Sequence, residues 1–271
     1  STDSSGLVSF DSDGFTLNSG GYVNTGTFVS WNWKAGGSPS SNTDGSITSS
    51  VSANTTNGFS IVTYTGTESA ATVGHGLGSA PKMIFAKQYS GAADWKVLPP
   101  VLGATRWLKL NTTDAAGTSA GNWNNTSPTS SVFSLGNDAG INGSGQTMVA
   151  YCFADVKGFS KMGWYQGNGS TDGTFVYTGF KPAFVLMKNT ADGGASWQMF
   201  DNKRDVDNVA NHRLFPNSDA VESTDANNNI DIISNGFKMR TSNGDNNANG
   251  STFIYMAFAE NPLVANTSGG I

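Results

Sequence analysis

The chain has 271 residues, with 34 glycines, 8 prolines, one cysteine and 13% charged residues, and its 15 Lys+Arg against 20 Asp+Glu give a formal charge of −5. Glycine lies well above the roughly 7% of globular proteins and charge is about half the roughly 25% expected, which excludes long helices and coiled coils. Sixteen Phe and 7 Trp within 37% hydrophobic residues exclude charge-driven disorder. The acidic balance lacks any Lys/Arg cluster, so nucleic acid is not an expected partner, and no apolar run reaches the roughly 20 residues of a membrane helix, so insertion in a membrane is not expected.

In chain order, GLVSFDSDGFTLNSGGYVNTGTFVSWNWKAGG (6–37) reads as strand, turn and aromatic strand, with Trp31 and Trp33 on one strand face. Residues 37–57, rich in Gly, Ser, Thr and Asn, read as a linker. Within them GSITSSVSAN is the alternative edge strand, because Ile47 and Val51 fall on one face of an extended chain. FSIVTYTG, KMIFAKQY, WKVLPP, RWLKLN, SVFSLG and TMVAYCFA follow as short β-branched and aromatic runs between turn residues, the signature of strands. In TFIYMAFAE, Phe253, Tyr255 and Ala257 face one way and Ile254, Met256 and Phe258 the other, so this strand is expected to be buried on both faces. The pairs Asn235-Gly236, Asn243-Gly244 and Asn249-Gly250 are expected to supply positive φ in tight hairpin turns.

These runs recur. Gly58-Phe59-Ser60, Pro81, Lys87 and Trp95 return as Gly158-Phe159-Ser160, Pro182, Lys188 and Trp197, and 130–158 parallels 230–262, a period of about 100 residues. The opening segment matches only the second half of such a unit. The expected organisation is therefore 1–36 as the second half of a preceding unit, with further sequence upstream, 37–57 as linker, 58–157 and 158–264 as whole units, and 265–271 as a tail. Six to eight short strands in about 100 residues predict an all-β fold of tandem antiparallel β-sandwich units, jelly-roll-like, with a small barrel as the alternative.

Catalytic constellations are sparse. His75 and His212 fall at different offsets in the two units, with no partners at metal-ligand spacing, and there is no GxSxG elbow. Acidic pairs suited to glycoside hydrolysis are limited to Asp11/Asp13, Asp201/Asp205 and the stretch holding Asp219, Glu222 and Asp225. DSDG, STDG and NGDNNANG are oxygen-rich, but none completes a calcium loop, and NGSGQT lacks the Lys-Ser/Thr of a phosphate loop. No catalytic residue, metal or cofactor is expected, and Cys152 in MVAYCFA reads as a buried small hydrophobe. Aromatics beside amides in polar segments, Trp123 with Asn124 and Trp164 with Tyr165, are the candidate ligand-binding residues, since a ring can cover a pyranose face while amides read hydroxyls.

The runs FDSDGFTL…VSWNWKAGG, GFSIVTYTG…ATVGHGLGSAPKMIFAK, WNNTSPTSSVFSLG, VAYCFADVKGFSKMG and GFKPAFVLMK resemble a repeated domain of unassigned function found in tail-fibre and other virion structural proteins of marine and related bacteriophages. VLPPVLGATRWLKLN departs from the usual pattern. The resemblance implies a non-enzymatic part of a virion surface, a tail-fibre or appendage segment contacting the host, with capsid decoration as the alternative and a glycan-degrading tailspike as a third. It implies other virion proteins, further copies of the chain in a homo-oligomer, and host surface glycan as partners.

Overall fold

The computed structural model describes residues 6–12, 14–18 and 24–261, so Asp13 and the expected tail lie outside the described residues. Residues 1–33 and 34–271 form two separate compact units. In the first, β1 (Leu7–Phe10) and β2 (Phe15–Leu17) make an antiparallel hairpin with Phe10 opposite Phe15. Asp11 holds its turn by accepting from the hydroxyls of Ser9 and Thr16, at 2.9 and 2.7 Å. Trp31 and Trp33 are half-buried on either side of an exposed Asn32, in a segment without ladder pairing rather than the expected strand.

The strand ladders described in the second unit are antiparallel, and Ile47 makes an isolated parallel bridge to Val73. It opens with β3 (Ser40–Asn42), β4 (Ser49–Asn54), β5 (Phe59–Thr65), β6 (Ala71–Gly74), β7 (Met83–Gln88), β8 (Lys96–Leu98), β9 (Arg106–Lys109) and β10 (Gly117–Thr118). The one-turn helix α1 (Ala120–Trp123), β11 (Val132–Leu135), the one-turn helix α2 (Ala139–Asn142) and β12 (Thr147–Phe153) follow. Then come β13 (Ser160–Gln166), β14 (Phe175–Tyr177), β15 (Pro182–Asn189), β16 (Gln198–Asp201), β17 (Ile230–Ile233), β18 (Gly236–Met239), α3 (Gly244–Asn247) and β19 (Thr252–Ala259). An eight-stranded sheet runs β10-β9-β8-β7-β12-β5-β4-β3, and a four-stranded sheet runs β13-β19-β15-β16. The pair β11-β6 covers one face of the first, and the three strands β14-β18-β17 cover one face of the second.

Strand alternation places the cores. Ile84, Ala150, Cys152 and Val62 meet Val73, Phe133 and Leu135 in one cluster, while Val185, Tyr255 and Phe253 meet Val176, Ile232 and Phe237 in another. The opposite faces of the two large sheets are also apolar and buried: Phe59, Met83, Val97, Leu108 and Phe153 on one, Met162, Leu186, Ile254, Met256 and Phe258 on the other. Phe153 and Phe258 meet with ring centroids 6.1 Å apart, and the fully buried Trp197 donates its indole N–H to the Lys109 carbonyl at 2.7 Å. The large sheets therefore pack face to face, and β19 is buried on both sides as its sequence predicts. Each buried Phe or Leu side chain contributes about 1.5–3 kcal/mol, which lets a chain with one buried, unpaired cysteine do without a disulfide.

Residues 37–57 are not a linker. They supply β3 and β4, and Ile47 and Val51 point into the core, with Ile47 N–H donating to Thr72 O at 3.0 Å. Serine hydroxyls make this possible by satisfying nearby carbonyls: Ser49 Oγ donates to Gly74 O at 2.9 Å and Ser52 Oγ to Gly37 O at 2.6 Å. A small hydroxyl residue thus fits a buried strand as well as a loop once its donor is met.

The Asn-Gly pairs also serve other ends. Only Gly250 has positive φ, at 74°. Asn243 instead caps α3 by accepting from Asp245 N–H, and Gly236 opens β18 where a Cβ would stand 2.0 Å from Val176 O.

One side chain organises each half. Asn142, the last residue of α2, accepts Thr67 N–H at 2.9 Å and donates to Ser69 O at 2.8 Å and Gly136 O at 2.6 Å. Asn247, the last residue of α3, accepts Asn168 N–H at 3.0 Å and donates to Ser170 O at 2.9 Å and Thr241 O at 2.6 Å. Beside each, a buried tyrosine hydroxyl donates to the preceding carbonyl, Tyr64 to Ile141 O at 2.7 Å and Tyr165 to Asn246 O at 2.6 Å. The close approach requires Gly66 and Gly167, where a Cβ would come within 2.3 and 2.2 Å of Gly143 O and Ala248 O. Removing the amide strands several buried groups at about 1–3 kcal/mol each. Asn247→Ala is therefore expected to lower the unfolding free energy by about 2–4 kcal/mol in urea titrations, whereas a loss under about 0.5 kcal/mol would show that the amide organises nothing.

Candidate functional site

The second half presents an outer face that the first half lacks. On β14, Val176 points into the core, so Phe175 and Tyr177 point out, and both are exposed. On β18, Phe237 and Met239 point in, leaving Lys238 outward, with Phe175 on one side of it and Asp231 of β17 on the other. Arg240 follows at the strand end. The corresponding strand pair in the first half, β6 with β11, carries small Thr72, Gly74 and Ser134 at the places of Phe175, Tyr177 and Lys238.

The charges on this face are tethered, not loose. Lys238 Nζ stands 2.5 Å from Asp172 Oδ1, Arg240 Nε 3.3 Å from Asp231 Oδ2, and Arg240 Nη1 4.0 Å from Asp172. The hydrogen bond from Lys238 holds the Asp172 carboxyl below the usual carboxylate range. Lys161 Nζ donates to Tyr177 O at 3.0 Å and lies 5.4 Å from the Tyr177 ring centroid. A groove of about 460 Å³ runs alongside, lined by Thr171, Asp172, Val209, Asn229 and Arg240. Its far wall comes from the long segment after β16, which Asn208 docks onto β17 by accepting Ile232 N–H at 2.8 Å and donating to Ile232 O at 3.0 Å. Two exposed rings, three cations, two carboxylates and amides on one face can stack an apolar ring surface and bind an anionic group.

The residues singled out from sequence fall apart spatially. Trp123 is fully buried: Ser119 caps α1 by accepting Gly121 N–H, and the single turn drops the indole into the first core. Asn124 is exposed but serves as the left-handed cap of that turn, at φ 50°. Tyr165 is buried in the second core against Phe253. Trp164, its neighbour on the strand, points the other way and is 51% exposed. Reading Trp123 and Tyr165 as surface platforms is thus corrected, because an aromatic amid polar residues lies in a core whenever a strand or a turn aims it there. Phe175, Tyr177, Lys238 and Arg240 were missed, although comparing TFVYTG and GFKMR with their smaller equivalents in the first half would have found them.

The acidic pair Asp201/Asp205 is committed to its own loop. Asp201 accepts Arg204 Nε at 2.7 Å and the N–H groups of Lys203 and Arg204, which hold its carboxyl below the usual range against its burial. Asp205 accepts His212 Nδ1 at 2.5 Å and the N–H groups of Asn211 and His212. His75 is buried, and its two nitrogens reach Thr129 O at 3.1 Å and Leu77 N at 3.2 Å; burial lowers its pKa, keeping it neutral. Burial pushes the Cys152 thiol up to about 12, so it behaves as a small hydrophobe. Among the described residues no three His, Cys, Asp or Glu side chains converge as a metal site.

Lys188 is fully buried on β15, donating to Asn189 O at 2.6 Å and Asp192 O at 3.1 Å, and desolvation pulls its pKa down to about 8. The unfolded chain then holds the proton that the folded one releases, so stability rises with pH above about 8. Urea midpoints of the wild type should increase from pH 8 to 9.5 relative to Lys188→Met, and parallel curves would refute the lowered pKa of the buried lysine. Trp123→Ala is expected to cost about 3–5 kcal/mol and Trp164→Ala no more than about 1 kcal/mol in the same titrations; equal costs would contradict their opposite burial.

Neither the curated proteins nor the solved structures give a match to this chain. A family profile described as a domain of unknown function, DUF7483, matches residues 1–262, and the chain accordingly belongs to the DUF7483 family.

Proposed function

We propose that the chain is a repeat-built segment of a bacteriophage surface protein, a tail-fibre or appendage part, that acts by binding rather than by turnover. Two sandwiches of one design support the repeat: strand orders β8-β7-β12-β5 and β16-β15-β19-β13 correspond, and the same Asn, Tyr and Gly positions close both. The motifs resembling virion structural domains support the setting. The observation that carries the binding role is the outer face of β14-β18-β17, where Phe175 and Tyr177 stand exposed beside Lys238 and Arg240. Keeping both cores apolar while the outward residues change from small to aromatic and charged is the pattern of a scaffold that displays a recognition surface.

The ligand class that fits is a host-surface saccharide bearing a carboxylate or similar anion. The rings cover its apolar face, and Arg240 and Lys238 meet its charge. Tyr177→Ala and Arg240→Ala should each weaken binding to immobilised host-envelope glycan at least about fivefold, a loss of roughly 1 kcal/mol. Unchanged binding in both would remove this face from the role. Antibody labelling of intact particles should mark fibres or appendages; label spread over the shell would favour capsid decoration instead.

A further inference from the structure

Among the described residues, the hairpin of the 1–33 unit shares several hydrogen-bonding steps with the closing part of a sandwich, apart from a register shift between Leu7 and Ser9 that β17–β18 lacks. Leu7 pairs with Leu17 as Ile230 pairs with Met239, and Asn18 N–H donates to Gly6 O at 2.9 Å as Arg240 N–H donates to Asn229 O at 2.9 Å. Asn24 Nδ2 donates to Asn18 O at 2.8 Å, six residues back, the step that Asn142 makes to Gly136 and Asn247 to Thr241. A Thr-Phe pair follows in each case, Thr27-Phe28 three residues after Asn24 and Thr252-Phe253 five residues after Asn247.

Three features set this hairpin apart from the complete copies. Its β2 has β1 alone as a partner among the described residues, whereas β18 is paired on both edges, by β17 and β14. Asn24 is exposed, whereas Asn142 and Asn247 are fully buried. Their bonds to the loops at 67–69 and 168–170 have no equivalent for Asn24 among the described residues. Phe28 is 55% exposed, whereas Phe253 is fully buried in the second core.

We infer that the open edge of β2, the Asn24 amide and the Phe28 ring form a docking surface for the opening half of a sandwich. The occupant is a segment of the type 158–201, joined in line ahead of the hairpin as opening and closing halves are joined in the complete copies. Its chemistry is specified. A β14-like strand pairs with β2, a loop offers Asn24 one N–H and one carbonyl, and an apolar sheet covers Phe28. This rests on the reading of the chain as copies of one unit.

The test replaces residues 1–5 of the full chain with a copy of residues 158–228, and hydrogen exchange is followed by mass spectrometry. Exchange at 15–17 and 24–33 should slow at least tenfold, and Asn24→Ala in the extended chain should restore the fast rate. Unchanged rates in an extended chain whose 34–261 region stays protected overturn the proposal. So does a starting chain in which 6–33 already exchanges as slowly as 230–259. Protection that instead grows with the concentration of the unextended chain shows a second copy as occupant and overturns the in-line one. Independently of the extension, Phe28→Ser should leave the melting temperature of the unextended chain unchanged, and a clear drop would show the ring already buried. Glycan binding by the Tyr177 face is read in a separate measurement on residues of the 34–271 unit, so the repeat-completion inference can fail while the proposed function stands.

Discussion

The architecture depends on how one primary amide is satisfied. A strand–turn–strand fold of this composition has many loops and few charges, and each loop brings backbone N–H and carbonyl groups close to the core, where an unmet one costs about 1–3 kcal/mol. Asn142 and Asn247 solve this by ending a one-turn helix inside the protein and bonding two separate loops at once. An amide is suited to the task because it donates twice and accepts on one planar group. The adjacent tyrosine and glycine follow from it: the hydroxyl caps the helical turn, and the missing Cβ lets the loop come near enough.

Once each sandwich is closed from inside, its large sheet still carries an apolar outer face, and the two faces cover each other. Phe153 meets Phe258, residues at the same place in their respective strands, and Trp197 reaches across to Lys109. Within residues 34–271 this face-to-face packing leaves the thin strand groups β11-β6 and β14-β18-β17 on the other side of each large sheet. Those outer groups are where side chains can vary without disturbing a core. In the first they are small; in the second they are aromatic and charged.

Much of this was legible in the residues. Strands at FSIVTYTG, KMIFAKQY, TMVAYCFA and TFIYMAFAE, the burial of Cys152 and the all-β class follow from alternation and β propensity, which are local properties. Three readings failed for a common reason. Residues 37–57 looked like linker because Ser and Thr are polar in isolation, yet their hydroxyls are met by carbonyls of Gly37 and Gly74. Trp123 and Tyr165 looked exposed because their neighbours are polar, yet a helical turn and a strand face aim them inward. Asn243-Gly244 looked like a hairpin turn, yet Asn243 caps a helix.

The sequence by itself determined the all-β class and the place of strands such as β5, β7, β12 and β19, and closed off any helix-rich or charge-driven state. Only the tertiary structure decided which side of each strand faces a core, which amides are buried, and which aromatics remain outside. Strand registers show why. The motif Gly-Phe-Ser at 58–60 and 158–160 aligns by identity, yet Phe59 lies opposite Phe153 while Ser160, not Phe159, lies opposite Phe258. A shift of one residue reverses every side chain of a strand, and that shift is set by the partner strand's hydrogen bonds, which no local stretch of sequence contains.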